Sequence, residues 1–446
     1  MKSIRFFGLS VVGMLCFALI TFSGACSTAP AEGEKPAADA GSGKPTPKPE
    51  IKITLDPKDG KLGVDGACIK VTFSRDPSKK DWEGELKGDD GVVAGGLTFK
   101  TNTTGEYCPF SFLKQGKKYS FKLKVKEPAV KGLTQRTFEV SSNYDTDAPY
   151  KDDPAPAAGF TVNLKLGDII APKGLTAIAS NLSTDNIPPI LTYLFKKEGD
   201  KAGALTFVGG LGKAAKGEKP HTGKDIVDTK TPVSLLLEGK YEGRLFSVGP
   251  TTFLLSVAGI SLELQDFNLT GLFTKDSKKV ESALLTGVID PEVVEKSVGL
   301  QICALLRDEC KKDASGKTYV RLAAKISSVP NPLPYSVFIT HPLYLQTDID
   351  PSKPVAFYTN EETDEASLTA KVFTCKGSRD EQKPCDKGKE AKVEEVKEKG
   401  TFKLEDSKKQ GSYTVKLEAA TWYKIEFTAK SKGGTEFKTF SMFKTK

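Results

Sequence analysis

In several stretches of this chain apolar and polar residues take strict turns, and a period of two dictates β-strands with one buried face. Ile69, Val71 and Phe73 alternate with Cys68, Lys70 and Thr72, and Tyr119, Phe121, Leu123 and Val125 alternate with Ser120, Lys122 and Lys124. Tyr423, Ile425 and Phe427 repeat the pattern near the C-terminus, and Thr137-Phe138-Glu139-Val140-Ser141 supplies a further strand. Gly and Pro punctuate the chain throughout, with Pro57-Lys58-Asp59-Gly60 as a clear turn. The pattern predicts an all-β protein.

Asp56-Pro57-Lys58-Asp59-Gly60-Lys61-Leu62-Gly63-Val64, followed by Ile69-Lys70-Val71-Thr72-Phe73-Ser74, resembles the opening of the bacterial Ig-like domain of S-layer and other envelope proteins. Gly116-Lys117-Lys118-Tyr119 matches that family's later hairpin, and Thr137-Phe138 its closing strand. The resemblance implies a seven-stranded sandwich over residues 51–145 that carries no catalytic residues. A second copy is expected over residues 350–446. There Leu417-x5-Tyr423-x-Ile425-x-Phe427 repeats the spacing of Leu113-x5-Tyr119-x-Phe121-x-Leu123, and Thr439-Phe440 parallels Thr137-Phe138. This copy lacks the Pro-x-Asp-Gly opening and has Asp350-Pro351-Ser352-Lys353-Pro354 instead.

The stretch between, residues 159–345, reads as a β-rich middle domain with one or two short helices, a sandwich or similar curved sheet. Phe160–Leu166, Thr251–Leu264 and Tyr319–Ile326 are strand-like, whereas Gly203–Gly223 is rich in Gly and Lys and reads as a flexible loop. One helix is signalled by Asp290 as N-cap, Pro291 at the first position and Glu292 in the first turn. An apolar set from Val293 and Val294 through Val298, Ile302, Leu305 and Leu306 follows.

Lys2 and Arg5 precede an uncharged run, Phe6 to Ala25, whose middle is strongly apolar. That is the layout of a secretory signal peptide over residues 1–25. Ser23-Gly24-Ala25-Cys26 resembles the lipobox of bacterial lipoproteins, with Ser23 where that family usually has Leu. The resemblance implies a lipid on Cys26, and Ser27 in place of Asp favours the outer membrane. Two other readings stay open: cleavage after Ala25 to release a soluble protein, or an uncleaved apolar run serving as the anchor. Residues 26–50, with Lys44-Pro45-Thr46-Pro47-Lys48-Pro49, are too poor in apolar side chains to build a core and read as a disordered tether.

Cysteine parity favours lipidation. Of eight cysteines, Cys16 lies in the signal, and Cys68, Cys108, Cys303, Cys310, Cys375 and Cys385 form an even set that leaves Cys26 unpaired. Three disulfides are expected, as an oxidising compartment permits. Cys375–Cys385 is a hairpin staple, and Cys68–Cys108 lies at the surface or an edge of the first sandwich. Cys303 and Cys310 on one unbroken helix would sit about 10 Å apart, beyond disulfide reach. Their pairing therefore requires the helix to end near Leu306–Arg307 and the chain to turn back.

Chemistry-bearing motifs are sparse. The two histidines, His221 and His341, belong to no H-E-x-x-H, and G-x-S-x-G is absent. Gly210-Leu211-Gly212-Lys213-Ala214-Ala215 matches a dinucleotide turn in letters only, because Gly217, Pro220 and Gly223 leave no helix to receive a pyrophosphate. Asp145/Asp147 and Asp348/Asp350 are carboxylate pairs of the kind calcium uses, but acids at domain boundaries more often form turns. No metal and no cofactor are expected. Basic residues number 65 and acidic 57, for a net charge of +8 that is dispersed and carried mostly by Lys, which disfavours nucleic-acid binding.

The function expected is that of a non-catalytic cell-envelope lipoprotein acting as a binding, adhesion or scaffold module. Its partners would be a membrane, through the N-terminal lipid, and an envelope protein or polysaccharide. The alternatives are a hydrolase of envelope or extracellular polymer, and a carrier of a hydrophobic ligand in the middle domain, motivated by Phe253-Leu254-Leu255.

Overall fold

A computed structural model of the chain describes residues 50–64, 68–76, 82–99, 101–126, 136–148, 155–172, 189–195, 203–230, 234–257, 260–298, 301–306, 309–376, 385 and 392–446. The chain divides into two compact units at residues 149–150.

The first unit is an Ig-like sandwich. One sheet runs Ile53–Asp56, Ile69–Phe73, Thr104–Pro109, Gly95–Phe99, and the other Gly60–Lys61, Thr137–Asp145, Lys118–Lys126, Trp82–Gly88, Gly91–Val93. In immunoglobulin lettering these are A-B-E-D and A′-G-F-C-C′. The alternation read from sequence is the burial pattern: Ile69, Val71, Phe121, Leu123 and Val125 are fully buried in one core, while Lys70, Thr72, Ser120 and Lys122 face out. The Pro57-x-Asp59-Gly60 turn has a mechanical role. Asp59 and Gly60 take left-handed φ of 58° and 103°. The Asp59 carboxylate then accepts the Asn143 N–H at 2.8 Å, and the Tyr144 hydroxyl donates to the Pro57 carbonyl at 2.7 Å. The turn thereby seats strand A′ parallel to the closing strand.

In the second unit, the last two sheets repeat this order strand for strand. They run Val337–His341, Val355–Thr359, Gln410–Thr414, Thr401–Leu404 and Gln346–Ile349, Glu436–Thr445, Trp422–Ser431, Thr363–Lys376, Lys392–Glu395. The sheets begin at Val337, so residues 337–345, which the sequence reading gave to the middle domain, and 346–349, which it gave to neither domain, supply strands A and A′. Pro342, after the first strand, occupies the place of Pro57, and Asp350–Pro354 falls at the next turn. Register also realigns the repeat. Tyr119 pairs with Tyr144 and Val125 with Phe138, as Tyr423 pairs with Phe443 and Ala429 with Phe437. Phe437, not Phe440, is therefore the counterpart of Phe138.

The middle region is neither a sandwich nor an open sheet. It is a ten-stranded antiparallel sheet, and two short strands, Asp225–Val227 and Cys310–Lys312, stand outside its main circuit. The other eight form a ring: Thr161–Ala171, Ile190–Phe195, Ala204–Ala214, Ser234–Glu242, Leu245–Val257, Ile260–Phe273, Val280–Ile289 and Thr318–Pro330. The first and last pair from Val162–Pro330 to Ala171–Ala323, which closes an up-and-down barrel and removes the sheet's outer edges. An eight-stranded barrel is just wide enough for side chains to fill. Phe207, Phe246, Phe267 and Phe273 are fully buried within it, with the Phe246 and Phe273 rings 4.7 Å apart.

The expected loop at Gly203–Gly223 is, in its first half, the barrel strand Ala204–Ala214. Its glycines serve close approach rather than flexibility, since a Cβ at Gly209 would lie 1.9 Å from the Leu191 carbonyl oxygen. The helix after Asp290 forms as two pieces, Pro291–Val298 and Ile302–Leu306, with the Asp290 carboxylate accepting the Glu292 N–H at 3.0 Å. Ile302 and Leu306 pack on Ile169, Val320 and Ala324 of the barrel.

Barrel and last sandwich share a hydrophobic cluster. Tyr193, Phe195 and Val208 on the outer wall meet Leu333, Phe338 and Tyr358, and the Phe195 and Tyr358 rings stand edge to face at 5.2 Å.

Candidate functional site

Cys26, the residue expected to carry a lipid, lies outside the described residues, as do the expected signal segment and most of the expected tether. The six downstream cysteines are paired as their spacing suggested. Cys68–Cys108 joins neighbouring strands of one sheet, with Cα atoms 4.3 Å apart, on the face away from the core. Cys303–Cys310 spans 5.6 Å because the helix ends at Leu306 and the chain turns back into Cys310–Lys312. Cys375–Cys385 spans 5.1 Å. Glu106 stands close enough to Cys68 and Cys108 for the three to resemble a metal-binding set, but the disulfide occupies both sulfurs.

Among the described residues, neither the carboxylate pairs nor the histidines singled out from the sequence fall in a group that could hold a metal ion. Asp147 meets Lys61 at 3.7 Å, and Asp350 accepts the Ser352 N–H at 3.0 Å. The His221 N–H donates to Asp225, whereas His341 lies more than a hundred residues on, in the last sandwich. Burial, seconded by the charge of Lys353, holds the His341 imidazole below its ordinary pKa. Asp290 is partly buried, which would raise its pKa, yet the Lys317 ammonium and the Glu292 N–H prevail and keep it below the carboxylate range.

A buried polar knot was not foreseen. Asn163, Asp225 and Asn331 are at most 1 % exposed. The Asn163 amide donates to the Asp225 carboxylate, and the Asn331 amide donates to Asn163 Oδ1 at 2.9 Å and to the Asp225 carbonyl at 3.0 Å. It ties the short strand Asp225–Val227 to the barrel wall and to the exit toward the last sandwich. The partners lie 62 to 168 residues apart, so no local pattern could have revealed it.

Among the described residues are two open recesses. One, of about 560 Å³, lies in the last sandwich between Glu398–Thr401 and Thr414–Leu417 and is lined by both charges. The other, of about 410 Å³, is a split in the barrel wall between Leu236–Glu238 and Gly249–Thr252. Strands Ser234–Glu242 and Leu245–Val257 pair only from Glu242–Leu245 to Gly239–Val248. There Gly249, at φ 93°, and two register shifts turn the second strand aside. A Cβ at Gly249 would lie 2.2 Å from the Phe267 carbonyl oxygen, so the bend requires glycine. The Gly249-Pro250 pair, just ahead of the strand-like run Thr251–Leu264, is the one sequence signal that could have marked it.

No protein-family model and no curated protein matches the sequence. Among solved structures, the extracellular domain of protocadherin gamma B4 is similar at 8 % identity and a TM-score of 0.18 over 89 % of this chain, which spans about half (51 %) of that one. A SusE-like surface-located polysaccharide-binding protein from Bacteroides thetaiotaomicron aligns at 9 % identity and TM-score 0.15, over 89 % of this chain and 53 % of that one. A Bacteroides ovatus protein solved with a mixed-linkage heptasaccharide aligns at 10 % identity and TM-score 0.18, over 93 % and 71 %. Alignments at such scores establish no common architecture.

Proposed function

We propose that this is an extracytoplasmic envelope protein, held to a membrane by a lipid on Cys26, that works by binding rather than catalysis. The domain layout proposed is a tether, a first Ig-like sandwich, the barrel and a second sandwich. The observation that carries the reading is the cysteine pairing. Three disulfides consume all six cysteines downstream of Cys26, as an oxidising compartment allows, and leave Cys26 as the odd thiol behind the export-like segment. No helix among the described residues is long and apolar enough to cross a membrane.

Binding is favoured over a hydrophobic cargo because the barrel interior around Phe246 and Phe273 is occupied by its own aromatic rings. What the chain offers instead are surface recesses. The outer membrane is the proposed location, and an envelope protein is the proposed class of partner.

Metabolic labelling with an alkynyl fatty acid tests the anchor. Wild type takes up label and Cys26→Ala does not; equal labelling of the two would refute lipid attachment at this residue.

A further inference from the structure

The split in the barrel wall has two strand edges looking into it, and we infer that it binds an extended peptide segment of a partner protein as an inserted strand. The inference rests on the binding role proposed above and gives that role a site.

The Tyr241 N–H donates to the Gly203 carbonyl, away from Leu245–Val257. Backbone groups alternate sides along a strand. Lys240, Glu238, Leu236 and Ser234 therefore turn their N–H and C=O groups the other way. Lys240 pairs with Ser247, but the ladder stops at Gly239–Val248, so Glu238 and Leu236, which line the recess, present theirs to the split. Across the gap, Gly249–Thr252 are exposed, and the ladder partner in that stretch is Phe267, paired with Thr251 on the far side. An extended chain carries donors and acceptors along both edges, which is the complement of two facing strand edges. A hydrocarbon chain would leave those groups without hydrogen-bond partners.

The walls also specify side chains. Leu235 and Leu237 are buried in the barrel core, so inward positions of the inserted segment meet apolar surface. Glu238 is exposed on the outer face and, among the described residues, is the one ionisable side chain lining the recess. A Lys or Arg at the facing outward position satisfies it, as opposite charges do across strands. The ligand is thus a proline-free segment of alternating apolar and polar residues with a basic residue opposite Glu238.

The test probes the full chain, wild type and Glu238→Lys, on an array of random octapeptides, with binding of the selected peptides followed by fluorescence anisotropy. Wild type is expected to select alternating sequences that carry Lys or Arg at one fixed polar position and exclude proline from the centre. Glu238→Lys, at an exposed site that leaves folding intact by circular dichroism, should weaken those peptides at least tenfold and select Asp or Glu in their place. A selected set that tolerates central proline, that is unchanged by the charge reversal, or that shows no consensus overturns the inference. So does displacement of the peptides by palmitate, which would assign the split to a hydrocarbon ligand. None of these results bears on fatty-acid labelling at Cys26, so the site and the anchor fail separately.

Discussion

The backbone N–H of Glu418 donates to the Tyr423 hydroxyl at 2.7 Å, and the N–H of Lys114 makes the same bond to Tyr119 at 2.9 Å. In each sandwich a threonine at the end of the closing strand or one residue past it completes the corner. Thr445 Oγ1 donates to the Glu418 carbonyl at 2.7 Å and accepts the Thr421 N–H at 3.0 Å. Thr146 Oγ1 donates to the Lys114 carbonyl at 2.7 Å and accepts the Lys117 N–H at 2.9 Å. The two domains therefore share a hydrogen-bonded corner as well as a strand order. A tyrosine at the start of strand F whose hydroxyl bonds back to the chain is a recurrent device of such sandwiches.

Because each corner satisfies partly buried backbone groups, its loss should be costly at constant shape. Tyr119→Phe and Tyr423→Phe should each destabilise their own sandwich by about 1–2 kcal/mol, and Thr146→Val and Thr445→Val by about 2–3 kcal/mol. The only tryptophans are Trp82 in the first sandwich and Trp422 in the last. Urea unfolding of single-tryptophan variants thus reads each domain separately. A change at Tyr119 that moved the Trp422 transition as far as the Trp82 transition would show that the corners are not local.

The Asn163–Asp225–Asn331 knot predicts a larger effect at one position. Asn331→Leu removes two donated bonds and one accepted bond, and strands Asn163 Oδ1 and the Asp225 backbone in a site closed to water. A loss on the order of 3 kcal/mol or more is expected, because unmet buried polar groups forfeit their full solvation. Hydrogen exchange should show the increase in opening at Asp225–Val227 and the adjoining barrel strand. An Asn331→Leu chain as stable as wild type would mean that the knot is not what holds that strand.

The sandwiches were legible because each strand has one wet face, so burial wrote itself as alternation at Ile69–Phe73 and Tyr423–Phe427. The second copy was legible in its tyrosine hairpin but not at its start, since strand Val337–His341 lies against the barrel and loses that contrast. Barrel strands packed on both sides carry no period of two. Leu191, Tyr193 and Phe195 face the last sandwich while Leu194 faces the barrel core, and all are buried. Ring closure is a pairing between strands more than 150 residues apart, which no local pattern encodes, and the wall split leaves only the Gly249-Pro250 pair as its local trace. The cysteines were legible because covalent parity is a property of counting.

The disulfides should rank by the loop each closes. Loops of 40, 10 and 7 residues belong to Cys68–Cys108, Cys375–Cys385 and Cys303–Cys310 respectively. On the chain-entropy model they restrict the unfolded state by about 4, 2.7 and 2.4 kcal/mol. Paired Cys→Ala substitutions should follow that order in thermal denaturation. If the Cys303/Cys310 pair proved costliest, strain relief or helix docking would have to dominate over loop entropy.

His341 supplies a pH dependence whose sign is fixed by its surroundings. Its Nε2 is buried without a hydrogen-bond partner, and burial and Lys353 both disfavour the imidazolium. The folded pKa therefore lies below the ordinary 6.5, so the unfolded chain binds the proton more readily. Stability from this group is complete above about pH 6.5 and is lost as pH falls through the folded value. His341→Phe keeps an apolar ring and cannot charge, so its melting temperature should fall less than that of wild type between pH 7.5 and 5. His221 is present in both chains and cancels in the comparison. Equal losses in the two would place the acid sensitivity elsewhere and leave the His341 environment without thermodynamic effect.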